Sequence, residues 1–359
     1  MAASDQPDER WTSAARPAEP VRAQTAWRLS VVVPVYNEET TLAALLARLV
    51  PAVERITPGY ELIFVDDGST DRTAFLLEAA SHDDPRIKVV NLTRNFGKEA
   101  ALTAGLAYAT GDAIVPLDAD LQDPPELMAE LVAKWREGYD MVVAVRRDRS
   151  SEPVARRRSA ALFYRVIGRL SDVPIPANAG DFRLLDRRVV DALMRLPERT
   201  RFMKGMFAWL GFRQAVITYV RPARVAGESK WRPWRLWNFA LEGIFSFTTL
   251  PLRIWTYFGL FLGIGALVYM IVVVVRTALY GIEVPGYASL VALLLFFSGM
   301  NMIGLGMLGE YVGRIFVEVK QRPLYLVRDT TGFERPRGGS LGEVPDSSRD
   351  QRGSVRRSA

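Results

Sequence analysis

The sequence predicts an α/β protein with a mostly parallel sheet and helices on both faces. Three observations predict it: short β-branched apolar runs, stretches of helical spacing between them, and polar clusters directly after each run. Leu29-Ser30-Val31-Val32-Val33 reads as the first strand, and Glu38 to Arg55 carries apolar residues at helical spacing. Glu61-Leu62-Ile63-Phe64-Val65 is the second strand, followed by a helix over Thr70 to Ala80. Ile87-Lys88-Val89-Val90, a helix from about Lys98 to Ala109, and Ala113-Ile114-Val115-Pro116-Leu117 continue the alternation. A helix from Pro125 to Arg136 and the strand Met141-Val142-Val143-Ala144-Val145 complete it. Strands apolar on both sides are covered on both faces, and such sheets bind ligands at the carboxyl ends of their strands.

Composition narrows the chemistry. The chain has 359 residues, 46 Lys+Arg against 40 Asp+Glu for a net charge of +6, and 49% hydrophobic residues, so it is neither disordered nor fibrous. With no Cys there is no disulfide framework, thiolate nucleophile or sulfur-bound zinc, and the lone His82 excludes a multi-imidazole metal cage or a His-based triad. Carboxylates, amides, hydroxyls and cations remain.

The apolar residues cluster. Ile254 to Val275 and Val284 to Gly309 carry no charge, and the first run is about 33 Å long as a helix, against a hydrocarbon core of roughly 30 Å. The reading is a two-helix transmembrane hairpin over 251–278 and 284–312. A pair of helices buried in a soluble core is the alternative. Lys230, Arg232, Arg235 and Arg253 before the first run, with Arg314, Lys320, Arg322 and Arg328 after the second, place both termini and the α/β domain on the cytoplasmic side of the cell (inner) membrane. Gly304-x-Gly306-x-x-Gly309 matches a dinucleotide fingerprint but lies inside an apolar run without a preceding strand. With Gly259-x-x-x-Gly263, it reads as close helix packing. Residues 1–27 and 329–359 read as disordered tails, with 313–328 as a C-terminal cytoplasmic segment.

The polar strand ends form a coherent set. They are Pro34-Val35-Tyr36-Asn37-Glu38, Asp66-Asp67-Gly68-Ser69-Thr70-Asp71, Arg94-Asn95-Phe96-Gly97-Lys98 and Asp118-Ala119-Asp120-Leu121-Gln122-Asp123. Asp118 and Asp120 share a face on an extended segment and repel unless a cation sits between them. A hard divalent ion, Mg2+ or Mn2+, bridging to substrate phosphates is the economical explanation, with Gln122 able to add a neutral oxygen. The plainer readings make Asp123 and Asp71 helix caps and Tyr36 a packing residue.

These motifs, with Gly180-Asp181-Phe182-Arg183-Leu184, resemble those of family 2 glycosyltransferases, and in particular the branch acting on polyisoprenyl phosphates, which includes dolichol-phosphate mannose synthases and bactoprenol glucosyl transferases. The resemblance covers about Leu29 to Val327, including Gln321-Arg322-Pro323-Leu324-Tyr325. The Gln-x-x-Arg-Trp motif of the processive synthases is absent, which argues against chain elongation. The resemblance implies a GT-A catalytic domain over 28–230. It implies Pro34, Tyr36, Glu38 and Asp67 at base and ribose, and Asp118, Asp120 and Gln122 at the metal and diphosphate. Lys98, Ala119 and Arg183 join the donor site, Arg224, Ser229 and Lys230 lie in a cationic segment closing over the phosphates, Asp181 matches the proposed catalytic base, and Asp120 counts with it as catalytic.

The implied reaction moves a single sugar, with inversion, from a nucleotide diphosphate sugar, expected to be UDP-linked, to a polyisoprenyl phosphate. A phosphate monoester is mostly a dianion at pH 7 and already nucleophilic, so Asp181 would orient the acceptor or take a residual proton. Basic amphipathic stretches at about 155–170 and 231–250 fit interfacial helices on a bilayer, a partner that adjacency to the apolar runs favours over nucleic acid. Small-residue faces on both runs permit a homo-oligomer. The alternatives are a non-catalytic nucleotide-sugar-binding scaffold, or the same transfer to another lipid.

Overall fold

A computed structural model of the chain describes residues 26–146, 179–199, 201, 203–219, 250–280 and 286–333. They fall into two units: the first holds 1–162, 175–230 and 323–359, the second 163–174 and 231–322.

The first unit is built on one eight-stranded sheet. Its strands are β1 (Leu29–Val35), β2 (Tyr60–Asp66), β3 (Ile87–Leu92), β4 (Ala113–Pro116), β5 (Met141–Arg146), β6 (Ala179–Asp186), β7 (Gln214–Tyr219) and β8 (Val327–Thr331), in the order β7-β5-β6-β4-β1-β2-β3-β8. The helices are α1 (Leu42–Glu54), α2 (Thr73–Asp83), α3 (Lys98–Tyr108), α4 (Met128–Arg136), α5 (Arg187–Met194) and α6 (Met203–Trp209). β1 pairs in parallel with β2 and β4, β2 with β3, and β5 with β7. β6 runs antiparallel to β4 and β5, and β8 antiparallel to β3, so the sheet is mixed around a parallel core.

Strands β1, β2 and β4 are central because their side chains are apolar on both faces: Val31, Val32, Val33, Ile63, Phe64 and Val115 are all fully buried. Helix α1 covers one face with Leu42, Leu45, Leu49 and Val53, the spacing of a single helical stripe. On α3, a Cβ at Gly105 would lie 2.2 Å from a Val32 methyl, so this helix needs glycine to approach the sheet. Trp27, assigned by sequence to a disordered tail, stacks on Trp135 of α4 at 5.2 Å. The expected C-terminal tail likewise begins inside β8, where Asn91 donates to the Asp329 carboxylate.

The amino ends of these strands close on a polar knot. Glu61 is 2% exposed, and its carboxylate accepts from Ser30 Oγ at 2.6 Å, Thr110 N–H at 2.7 Å and Lys88 Nζ at 2.7 Å. The Gly111 N–H donates to Ser30, and the Arg187 guanidinium donates to the carbonyls of Ala109 and Gly111.

In the second unit, α7 (Leu250–Tyr280) contains the first uncharged run and α8 (Tyr287–Lys320) the second from Tyr287 onward. The transmembrane hairpin, and with it the two-span membrane location and orientation, are corrected here: among the described residues no helix is long and apolar enough to cross a membrane. Both runs include small or polar residues, among them Gly259, Gly263, Gly265, Ser298, Asn301 and Gly304, and the helices extend into charged sequence at Arg253, Arg276, Glu310, Arg314 and Glu318. The glycine reading holds at one position. A Cβ on Gly304 would meet the Trp255 indole at 2.3 Å, whereas Gly259, Gly263, Gly306 and Gly309 have nothing within 4 Å. The amphipathic stretches at 155–170 and 231–250 lie outside the described residues.

Candidate active site

The polar residues gather at the carboxyl ends of β1 to β4, where parallel strands release their chains into loops. After β1, Tyr36 is 45% exposed and Asn37 takes the left-handed conformation at φ 54°. Asn37 Oδ1 accepts the Thr70 N–H at 2.8 Å, while the Asn37 N–H donates to Ser69 Oγ at 2.9 Å, so the first two loops hold each other. The Glu38 N–H donates to Thr73 at 2.9 Å, and the Glu38 carboxylate accepts from Thr41. Pro34 is half-buried beside them.

Asp66 and Asp67 are both buried. Asp67 accepts from the backbone N–H groups of Phe96 at 2.7 Å and Gly97 at 2.9 Å, one on each carboxylate oxygen. Burial pushes its pKa up, against the opposing pull of those two donors. Its geometry is that of a clamp on the loop after β3. Gly68 makes the clamp possible: its φ is +70°, and a Cβ there would lie 2.5 Å from the Arg94 carbonyl carbon.

That clamped loop delivers Lys98, the first residue of α3, to the end of β4. Its ammonium lies 2.7 and 2.9 Å from the two oxygens of Asp118. Both side chains are part-exposed, at 42% and 31%, so this ion pair is worth no more than about 1 kcal/mol and exchanges readily for another cation. Asp120 follows two residues on, with one oxygen accepting the Gln122 N–H at 3.1 Å. Leu121 between them has φ 55°, a conformation that bulky residues avoid. Gln122 is 4% exposed and its Nε2 is buried without a hydrogen-bond partner. The loop is pinned at its far end, where the Tyr219 hydroxyl at the end of β7 donates to the buried Asp123 carboxylate. Asp123 is therefore held by a side chain from another strand.

Ala119 is buried in this loop. Arg183 on β6 is 3% exposed, with its guanidinium 4.3 Å from the Phe207 ring centre. Asp181 lies on β6, but its side chain is outside the described residues, as are Arg224, Ser229 and Lys230. Sequence reasoning missed the Leu121 backbone and the Tyr219–Asp123 bond. An isolated Tyr at the end of an edge strand carries no signal for a partner so distant in the chain.

Among the described residues no three His, Cys, Asp or Glu side chains converge as a metal cage. Mg2+ and Mn2+ sites of substrate-assisted type need only one or two carboxylates, with substrate phosphates and water completing the shell. The hard oxygens of Asp118 and Asp120, one already holding a cationic group, fit such an ion.

Residues 30–194 match the model of glycosyl transferase family 2. An uncharacterized glycosyltransferase of Synechocystis is 53% identical over 306 residues, covering 85% of this chain and 96% of that protein. The chain belongs to glycosyl transferase family 2. Within the family it is also similar to the bactoprenol glucosyl transferase of Shigella phage SfV, 46% identical across 84% of this chain and 98% of the relative. A homologue of that enzyme in Escherichia coli K12 is 45% identical over 84% of this chain and 98% of its own length. Among solved structures, a mannosyltransferase from Pyrobaculum calidifontis in complex with GDP-Man and Mn2+ is 19% identical, covers 87% of this chain and 91% of that one, and superposes with a TM-score of 0.42. This glycosyltransferase thus has a mixed sheet whose acidic loop, like the rest of its polar strand ends, falls in the family region.

Proposed function

We propose that this glycosyltransferase moves one sugar from a UDP-linked donor to a polyisoprenyl phosphate. The observation that carries the reading is the acidic loop after β4, Asp118 and Asp120 on either side of Ala119 with Lys98 against Asp118. The names of its bactoprenol glucosyl transferase relatives support the acceptor class.

The chain's own groups divide the work. Tyr36 and Pro34 line the donor side of the β1 loop, which Asn37, Ser69 and Thr70 lock in place. Asp67 acts through the loop it clamps, setting where Lys98 stands. Asp118, Asp120 and Gln122 would hold a divalent ion, Mg2+ or Mn2+, which when bound would offset the charge developing on the departing diphosphate. Lys98, released from Asp118, carries its positive charge to the same phosphates. A phosphate oxygen of the acceptor forms the new bond to the anomeric carbon from the face opposite the diphosphate. The bond to the β-phosphate oxygen breaks with its electron pair, nucleoside diphosphate leaves, and configuration inverts. Since the acceptor is mostly a dianion at pH 7, Asp181 orients it or takes the proton of the residual monoanionic fraction. Arg224, Ser229 and Lys230 would complete the phosphate side.

The test supplies purified full-length protein with a panel of UDP- and GDP-sugars, with and without undecaprenyl phosphate. Nucleoside diphosphate release that requires the lipid phosphate, with one sugar per lipid in the product, supports the reading. Donor hydrolysis indifferent to the lipid, or no turnover with any donor, overturns it.

A further inference from the structure

Strand β8 carries no apolar pattern, and its residues Arg328, Asp329 and Thr330 are all exposed. Hydrophobic burial therefore does not fix its register against β3, because a strand polar on both sides slips without moving an apolar set from core to solvent. Specific contacts fix it instead. At its trailing end Phe333 meets the Tyr108 ring edge-on at 5.1 Å, with the Lys88 ammonium 5.1 Å from the Phe333 ring centre. At its leading end the Leu326 carbonyl accepts the Thr93 N–H at 3.0 Å, just beyond β3. Between them Asp329 divides its carboxylate. One oxygen accepts from Arg328 Nε at 2.7 Å, and the other accepts from Nδ2 of Asn91 on β3.

The Asn91 contact is the one that reads register. Asn91 is fully buried and its Oδ1 has no hydrogen-bond partner, so Asp329 supplies the bond that this amide makes. Asn91 pairs with Asp329 but Leu92 pairs with Val327, which leaves Arg328 as the extra residue of a β-bulge. The register beyond the bulge is what brings Leu326 to Thr93. A slip of one residue would carry the Leu326 carbonyl about 3.3 Å along the strand and break its bond to Thr93.

Thr93 opens the loop that ends at Lys98. The far end of that loop is gripped by Asp67 through the Phe96 and Gly97 N–H groups, and the Lys98 ammonium then meets Asp118 at 2.7 Å. Asn91 also stands level with Asp66 on β2, so Asp66, Asn91 and Asp329 occupy matched positions across three strands and project to one face. The loop over 93–97 is thus held twice, by the Asp67 clamp at its end and by β8 at its start.

We propose that Asp329 is a positioning residue for Lys98: by pinning the register of β8 on Asn91, it fixes the start of the loop that carries the ammonium to Asp118. The inference rests on the transfer reading for the use of Lys98 at the donor diphosphate, but it is measured without turnover.

The test compares full-length wild type, D329A and D329N, the last of which keeps an oxygen acceptor for Asn91. Hydrogen exchange read by mass spectrometry follows the loop, and calorimetry follows the affinity for UDP and for GDP, each with Mn2+. D329A is expected to raise exchange of the peptide carrying Phe96 and Gly97 about tenfold, as loss of one buried hydrogen bond would, while the peptide carrying Thr110 and Gly111 stays within about twofold. Nucleoside diphosphate affinity is expected to fall about threefold or more in D329A, and D329N to keep both readings within about twofold of wild type. Should D329A fold poorly, D329V replaces it, since valine favours a strand and offers no acceptor. Unchanged exchange at Phe96 and Gly97 in the folded variant overturns the positioning role. Raised exchange with wild-type affinity also overturns it, leaving Asp329 a stabilising contact. A protein whose nucleoside diphosphate affinity follows Asp329 but which transfers no sugar to a lipid phosphate contradicts the transfer reading alone, whereas wild type that binds neither nucleoside diphosphate overturns both.

Discussion

At the amino ends of β1 and β2, Glu61 sits 2% exposed with donors from Ser30, Thr110 and Lys88 on its two oxygens. At the carboxyl end of β4, reached from β1 by a single parallel pairing, Asp118 is part-exposed and tied to Lys98, and Gln122 buries an amide nitrogen with no partner beside a left-handed Leu121. The same sheet thus carries two acidic centres in opposite conditions. One is closed by its own chain and contributes to stability. The other holds strain and unspent hydrogen-bonding capacity, which is where folded proteins keep their chemistry.

The sharpest test of the contrast is Asp120→Asn. It is expected to cut sugar transfer by about a thousandfold, equivalent to about 4 kcal/mol, while the denaturant midpoint of unfolding stays close to wild type. A matching loss of stability would erase the distinction between the two ends. Glu61→Gln is the converse, expected to cost about 3 kcal/mol of unfolding free energy with the specific activity of the folded fraction preserved. Its pH dependence sharpens the point. Burial is the largest influence on Glu61 and raises its pKa, but the donors from Lys88, Ser30 and Thr110 together outweigh it and the net shift is downward. A carboxylate lowered in the folded state contributes stability above its unfolded value, and that contribution is lost as the pH falls through the folded one. Acid unfolding curves of wild type should therefore fall away more steeply below about pH 4.5 than those of Glu61→Gln.

Smaller effects map the joint between clamp and acidic loop. Gly68→Ala is expected to cost about 2 kcal/mol, because the new methyl collides with the Arg94 backbone at a left-handed φ, and to raise the donor KM by displacing Lys98. Thermal unfolding and steady-state kinetics read both. Tyr219→Phe frees Asp123 for about 1 kcal/mol and is expected to raise the metal concentration giving half-maximal rate about threefold, with kcat nearly unchanged.

The alternation from Leu29 to Val145 was legible because its strands are mostly apolar on both faces and helices α1 and α4 each keep one apolar stripe. β8 was not, because Val-Arg-Asp-Thr-Thr pairs as an exposed edge strand and carries no apolar pattern. β6 was obscured by Asp181, Arg183 and Asp186 within an otherwise apolar run. Within the site, Asp118 and Asp120 announced themselves by spacing at a strand end. The tertiary partners did not: Asp67 turned out to grip the Phe96 and Gly97 backbone, and Asp123 to accept from Tyr219, contacts set by the fold rather than by local pattern. The uncharged runs of α7 and α8 were read as spans from their length and lack of charge, whereas among the described residues no helix is long and apolar enough to cross a membrane.

The most direct trial of the account follows transfer of radiolabelled sugar to undecaprenyl phosphate by wild type and Asp120→Asn, first in chelator and then with Mn2+ restored. The account expects wild type to stop in chelator and recover with the ion, and the variant to stay near background throughout. Undiminished transfer in chelator, or wild-type rates from Asp120→Asn, would contradict it.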